Sequence, residues 1–133
     1  MLSKPDSHTK IIISLESSEP SGETVRYLPG STISGKVAIM PQQDLECKAI
    51  LLQLKWFTQG RGEMDEEIVS ERVFHQNTLT GGVTLNESFT FILPSKPWSF
   101  SGHYINLVWA IFVKIGLPLK TDVESIQLFV MSP

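Results

Sequence analysis

Three histidines and one cysteine are the side chains of this 133-residue chain best suited to metal binding or covalent catalysis. The histidines are His8, His75 and His103. They are far apart in sequence, and none stands at metal-ligand spacing from another histidine, a cysteine or a carboxylate. Cys47 lies between Glu46 and Lys48, so the neighbouring charges nearly cancel and do not favour a reactive thiolate. We therefore expect His103 to be an ordinary strand-entry residue and Cys47 to be inert.

The densest charge run is a group of four carboxylates, which are Glu63, Asp65, Glu66 and Glu67. The run lacks the alternating Asp and Asn residues and the glycine that shape a calcium loop, so it predicts a solvated hairpin tip. The sequence also lacks a Gly-x-Ser-x-Gly nucleophile elbow and a phosphate-binding glycine loop. These patterns predict a protein that is not an enzyme and that has no catalytic residue, no cofactor and no metal site.

Charge and hydropathy exclude several other classes. Eleven basic and fourteen acidic residues give a net charge of −3, and no two basic residues are adjacent, so we expect no nucleic-acid partner. Residues 1–10 are polar and do not resemble a signal peptide. The most apolar stretch, residues 105–119, is interrupted and too short to cross about 30 Å of hydrocarbon, so we expect no transmembrane segment. A single cysteine cannot form an internal disulfide, which favours a cytoplasmic location.

The length predicts a single domain over residues 1–133, with residues 1–9 flexible. Seven stretches have period-two alternation and are separated by Gly, Pro and Asn clusters. They cover residues 10–15, 32–40, 48–58, 68–74, 83–93, 104–115 and 123–131. This spacing is typical of an all-β protein, an immunoglobulin-like antiparallel β-sandwich of about seven strands. The alternation predicts that five side chains share the core: Leu52, Leu54, Trp56, Phe89 and Phe91.

The sixth predicted strand is apolar on both faces, which is unusual for a strand with one wet side. Residues of odd number, such as Leu107 and Trp109, alternate with Val108, Ala110 and Phe112. Such a strand is either central and covered on both faces by the chain itself, or one of its faces meets a partner. The preceding loop carries two further large aromatic residues, Trp98 and Phe100, which would form an interaction anchor if exposed or a cap on the sandwich if folded back.

Three stretches together resemble the arrestin-like fold family, in particular its N-terminal-type domain. They are residues 27–37, YLPGSTISGKV; residues 50–57, ILLQLKWF; and residues 93–109, LPSKPWSFSGHYINLVW. The first is similar to the family's entry into its second strand, the second to its long apolar strand, and the third to its Pro-rich passage into an aromatic strand. The resemblance extends from about residue 10 to residue 131.

The resemblance implies a cytoplasmic protein-binding, scaffold or trafficking-type adaptor domain without catalysis. Family members usually carry two such sandwiches in tandem, whereas this chain has the length of one. It has no Pro-Pro-x-Tyr segment, and the receptor-phosphate sensor of some members has no counterpart here, so neither ubiquitin-ligase recruitment nor receptor binding is implied.

Three functional hypotheses remain open at this stage. The first is a non-enzymatic interaction domain that binds an unidentified protein through a sheet edge or face. The second is a structural module that assembles with copies of itself into a homo-oligomer, and the third is an enzyme with a small-molecule pocket in the sandwich. The candidate partner-binding residues are Trp98, Phe100, Leu107, Val108 and Trp109.

Overall fold

The computed structural model describes residues 9–16, 25–62, 64–74, 77–118 and 122–133. Every regular element among them is a β-strand, and none of them forms a helix that could cross a membrane. The strands are β1 (Thr9–Leu15), β2 (Arg26–Tyr27), β3 (Thr32–Pro41), β4 (Leu45–Glu46), β5 (Ala49–Gly60), β6 (Glu66–Phe74), β7 (Thr78–Leu79), β8 (Leu85–Ile92), β9 (Phe100–Ser101), β10 (Ile105–Gly116) and β11 (Val123–Met131). Seven of these strands have seven or more residues. They correspond to the seven predicted strands, so the all-β prediction is confirmed.

The strands form two principal sheets, and their packing makes the predicted β-sandwich. The small sheet has the order β1-β3-β8. The large sheet has the order β2-β11-β10-β5-β6, and β9 also pairs with β10. The short strands β4 and β7 pair with each other. All these pairs are antiparallel except β2 with β11, which is parallel.

The core lies between the two sheets, where the inward-facing side chains of β3, β5, β8 and β10 meet. Leu52 and Leu54 on β5 lie opposite Val113 and Ile111 on β10, and all four side chains are almost completely buried. Phe89 and Phe91 on β8 are also buried, with ring centroids 5.9 Å apart. The core prediction is confirmed for four of its five residues. The fifth, Trp56, packs against the core but is only partly buried.

Two glycines within residues 27–37, which lead into and form the start of β3, stand where the backbone favours glycine. Gly30 has a φ of 78° in the turn before β3, a conformation that side chains with a Cβ rarely adopt. Gly35 lies where β3 passes between β1 and β8, and a Cβ there would meet the Ser14 carbonyl oxygen and the Phe89 ring at 2.7 Å. Of the stretch predicted to be flexible, Thr9 instead pairs with Pro41, and residues 1–8 lie outside the described residues.

The loop before β10 is fixed to the large sheet at Pro97 and Ser99. The indole Nε1 of Trp109 donates to the Pro97 carbonyl oxygen at 2.8 Å. Further along, the Ser99 N–H donates to the Met131 carbonyl oxygen at 2.8 Å, and the Met131 N–H donates to Ser99 Oγ at 2.9 Å. The sequence predicts this segment as a loop throughout, but Phe100 and Ser101 form β9 because they pair with Leu107 and Asn106 on β10.

Candidate interaction surface

The residues best suited to chemistry do not converge in the structure. Among the described residues, no three His, Cys, Asp or Glu side chains lie close enough together to hold a metal ion. Cys47 is buried, and this burial raises the pKa of its thiol, which disfavours the nucleophilic thiolate. The exposed His103 ring stands edge-on to Tyr104, with centroids 4.5 Å apart. The remaining two histidines, His8 and His75, lie outside the described residues.

The acidic run has ordinary partners along the start of β6. Glu66 forms an ion pair with Lys55 at 2.9 Å. Asp65 is exposed, and its backbone N–H donates to Thr58 Oγ1 at 2.8 Å. Glu67 is also exposed, and Glu63 lies outside the described residues. The described carboxylates therefore form a solvated strand end, as the sequence predicts.

The outer face of the large sheet, which points away from the small sheet, is apolar over much of its area. Within Trp109–Ile115 the odd-numbered side chains are fully buried, so the even-numbered ones point outward. Leu128 lies opposite Ala110, and Ile126 lies opposite Phe112, so all four share the outer face. Ile126 and Leu128 are 46 % and 42 % exposed. Ala110 is fully buried and Phe112 is only partly exposed, so the exposed apolar area of this face lies mainly on β11.

Polar groups cover part of the other half of the same face, where Leu51 and Val73 are apolar outward residues. Lys55 Nζ lies 4.1 Å from the centroid of the Phe112 ring while it pairs with Glu66. Gln53 Nε2 donates to Glu71 Oε2 at 2.8 Å. These contacts place polar groups over the middle of β5 and β6, and Lys114 and Glu124, which lie opposite each other, add charges at one end of the β10–β11 side. We call six apolar outward residues on that side the apolar patch, which consists of Val108, Ala110, Phe112, Ile126, Leu128 and Val130.

A cavity of about 420 Å³ opens beside the apolar patch, at the point where three strands separate. β11 pairs with β10 as far as Phe129 and then with β2 at Val130. β9 pairs with the same edge of β10 nearer the start of that strand, where Phe100 lies opposite Leu107. The space between β9 and β11, which we call the groove, is lined by uncharged residues that include Phe100, Leu107 and Val108. Three of the five predicted partner-binding residues therefore line one cavity.

The other two predicted residues have different positions. Trp98 is 51 % exposed, and it lines a second, neighbouring cavity of about 390 Å³ together with Phe100, which is 56 % exposed. The Trp98 indole is held in place because its Nε1 donates to the Ser95 carbonyl oxygen at 2.9 Å. Neither aromatic residue is folded into the core. Trp109 is fully buried against Phe129, so it cannot contact a partner, and its inclusion in the predicted site is corrected.

The sequence reasoning missed the contribution of β11 to this surface. Ile126, Leu128 and Val130 form an alternating apolar row, but Phe129 and Met131 interleave with them. Because both faces are apolar at this end of the strand, the alternation does not say which face is outward. The sequence did carry a signal, because residues 128–131 are all apolar, whereas a strand with one solvated face normally alternates apolar and polar residues.

Comparisons with known proteins bear on the fold. No protein-family profile matches the sequence, and no curated protein matches it. Among solved structures, the crystal structure of Spo0M, a sporulation control protein from Bacillus subtilis, superposes with a TM-score of 0.73 at 17 % identity. The match covers 95 % of this chain and 50 % of that one, so the chain spans half the length of Spo0M. Because Spo0M has an arrestin-like fold, the likeness supports an arrestin-like fold here, and at this identity it shows the fold alone.

Proposed function

We propose that this chain is a non-enzymatic protein-interaction domain of adaptor or scaffold type. In this proposal a protein partner binds the apolar patch and inserts side chains into the adjoining groove. The observation that carries it is the outer face of β10 and β11, where Ile126 and Leu128 stay largely exposed beside the uncharged groove. Contiguous exposed apolar surface of this kind marks interaction sites in proteins.

The anchors for such a partner are the aromatic and aliphatic side chains around the groove. Phe100 stands between the two cavities, so a partner side chain could pack against either face of its ring. At the Ser132 end of the groove, Arg26 Nε donates to Ser132 Oγ at 3.0 Å, and Lys96 lines the second cavity. Apolar anchors surrounded by neutral hydroxyl groups fit a protein surface, because aromatic residues are enriched at binding hot spots.

We also propose a cytoplasmic location, which fractionation of cells that express a tagged chain would test.

The experiment compares two substitutions of the same type on opposite sheets. Ile126→Lys places a charge in the apolar patch, whereas the control Ile12→Lys alters a residue of similar exposure, 40 %, on β1. A partner is first isolated by affinity capture and then purified for calorimetric titration. We expect Ile126→Lys to weaken binding at least tenfold and Ile12→Lys to leave it within about twofold.

Three results would contradict the proposal. The first is a purified partner that binds both variants equally. The second is a wild-type chain that forms a dimer by light scattering which Ile126→Lys converts to a monomer, since the self-assembling hypothesis would then replace this one. The third is turnover of a small molecule by the purified chain in the absence of any protein partner.

A further inference from the structure

The edge of the small sheet formed by β8 is open along the strand. β8 pairs with β3 over eight residues without a change of register, and no described strand pairs with its other side. The Leu93 N–H donates to the Ser31 carbonyl oxygen at 2.8 Å, so the odd-numbered residues of β8 direct their backbone groups toward β3. Backbone groups alternate along a strand, and the even-numbered residues therefore direct theirs away from β3. These residues are Asn86, Ser88, Thr90 and Ile92.

At its even-numbered residues this edge lacks the features that normally prevent pairing with another chain, and its one charge, Glu87, points inward. Protected edges carry charges, prolines or bulges, or they are very short. The even-numbered side chains of β8 are uncharged and exposed, and Ile92, at 74 %, is the most exposed of the molecule's described large apolar residues. By contrast, the edge strand β6 has a register shift opposite Leu54 and Lys55 and carries several exposed carboxylates. β8 is thus a regular strand with four residues available for pairing.

Arg72 forms a hydrogen bond with the open backbone of β8. It projects from β6 across the space between the sheets, and its Nη1 donates to the Ser88 carbonyl oxygen at 3.1 Å. Its guanidinium carbon lies 4.7 Å from the centroid of the Phe74 ring. Among the described residues, Arg72 has no carboxylate within ion-pair distance. The guanidinium has five N–H donors, so most of its capacity is available to a ligand.

We infer that the open edge of β8 binds an extended segment of a partner protein, and that a carboxylate of that segment pairs with Arg72. The segment adds as a further strand, and its backbone bonds to the outward groups of Asn86, Ser88, Thr90 and Ile92. When a partner N–H takes the Ser88 carbonyl oxygen, Arg72 loses that bond and its guanidinium turns to the incoming strand. Main-chain pairing supplies affinity, and the pairing of the carboxylate with Arg72 supplies the preference for acidic partner segments.

The position of the carboxylate follows from the alternation of side chains. Phe89 and Glu87, on either side of Ser88, both point inward, as Arg72 does. A partner side chain opposite Glu87 would meet a like charge, whereas one opposite Phe89 would not. We therefore place the partner carboxylate opposite Phe89. This edge belongs to the small sheet, and the apolar patch lies on the outer face of the large sheet, so either surface can fail its test without the other.

The test uses a synthetic probe because the partner sequence is unknown. The probe is an octapeptide of alternating threonine and valine in which one central valine is glutamate, and its matched control carries lysine at that position. Backbone amide hydrogen exchange of the full chain is followed by NMR, and affinity is measured by titration. We expect the glutamate peptide to slow exchange at the even-numbered residues of β8 and to bind at least tenfold more tightly than the lysine peptide. Arg72→Met should remove this preference.

Two variants at one position separate edge pairing from other binding. Thr90→Pro removes an N–H that points away from β3, so the fold keeps its ladder while the probe loses a partner. Thr90→Val keeps that N–H and removes only the hydroxyl, which in the wild type shares a 3.0 Å hydrogen bond with Ser34. We expect Thr90→Pro to weaken probe binding at least tenfold and Thr90→Val to leave it within about twofold. If Thr90→Pro does not fold, a probe methylated on its backbone nitrogens replaces it, and that probe should not bind.

The inference is overturned by any of four results. These are unchanged exchange at the even-numbered amides, equal binding to the two Thr90 variants, equal binding of the methylated and unmethylated probes, or equal affinity for the glutamate and lysine peptides. A wild-type dimer that Thr90→Pro dissociates would also overturn it, because the occupant of the edge would then be a second copy of this chain.

Discussion

Replacing Trp109 with phenylalanine should destabilise the fold through two separable losses. The indole N–H donates to the Pro97 carbonyl oxygen at 2.8 Å, and losing such a bond costs about 0.5–1.5 kcal/mol. The fully buried indole also has about 40 Å³ more volume than a phenyl ring, and at 24 cal/mol per Å³ the cavity costs about 1 kcal/mol. With the lost transfer free energy of the missing atoms, we expect the free energy of unfolding to fall by about 2–3 kcal/mol.

The assay for Trp109→Phe is urea unfolding followed by far-ultraviolet circular dichroism, because the substitution alters the tryptophan fluorescence. The midpoint should fall while the dependence of the unfolding free energy on urea stays the same. Trp98→Phe is the matched control, since its indole makes the same kind of bond to the Ser95 carbonyl oxygen but is half exposed, and it should cost about 0.5 kcal/mol or less. Equal losses for the two variants would refute the assignment of Trp109 to the core.

Three further predictions concern stability. Leu54→Ala should lower the unfolding free energy by about 2–5 kcal/mol because the side chain is fully buried, and a loss below about 0.5 kcal/mol in urea unfolding would contradict its position. Gly35→Ala should lower the melting temperature measured by calorimetry, because the new Cβ meets the Phe89 ring at 2.7 Å and a backbone oxygen; an unchanged temperature would show that β3 does not pass so close. Burial and, secondarily, the Glu16 charge raise the pKa of Tyr27. The stabilising effect of this shift is complete below the unfolded tyrosine pKa of about 10 and is lost as the pH rises through the higher folded pKa. Tyr27→Phe should therefore reduce the loss of stability at alkaline pH, measured as the change of melting temperature with pH.

The long strands could be predicted from the sequence because each pairs along its length and buries one face. β5 and β11 illustrate this, since their predicted bounds differ from the observed ones by at most two residues. The two-residue strands could not be predicted, because two residues have no detectable period. β9 pairs with β10, and Ser99, which precedes it, is bonded to Met131, thirty-two residues away.

The candidate site was only partly predictable for a related reason. Phe100 and Val108 could be grouped from the sequence because they are close along the chain, and both line the groove between β9 and β11. Trp109 was misassigned because β10 is apolar on both faces, and the inward face is decided by which residues of β5 and β11 pair with it. The contact of Arg72 with Ser88 was beyond sequence reasoning, since it depends on how the edges of two sheets approach each other.

The parallel pairing of β2 with β11 has a consequence for how the molecule forms. Val130 lies in register with Arg26, and the Arg26 guanidinium bonds to Ser132, 106 residues away. The second strand of the chain and its last strand are therefore joined within one sheet, and the Arg26–Ser132 contact closes a loop of 106 residues. Closing such a loop costs entropy before any contact is gained, and β-proteins dominated by distant pairings refold in about milliseconds to seconds. During synthesis on the ribosome, the other strands must wait until β11 emerges before this sheet is complete.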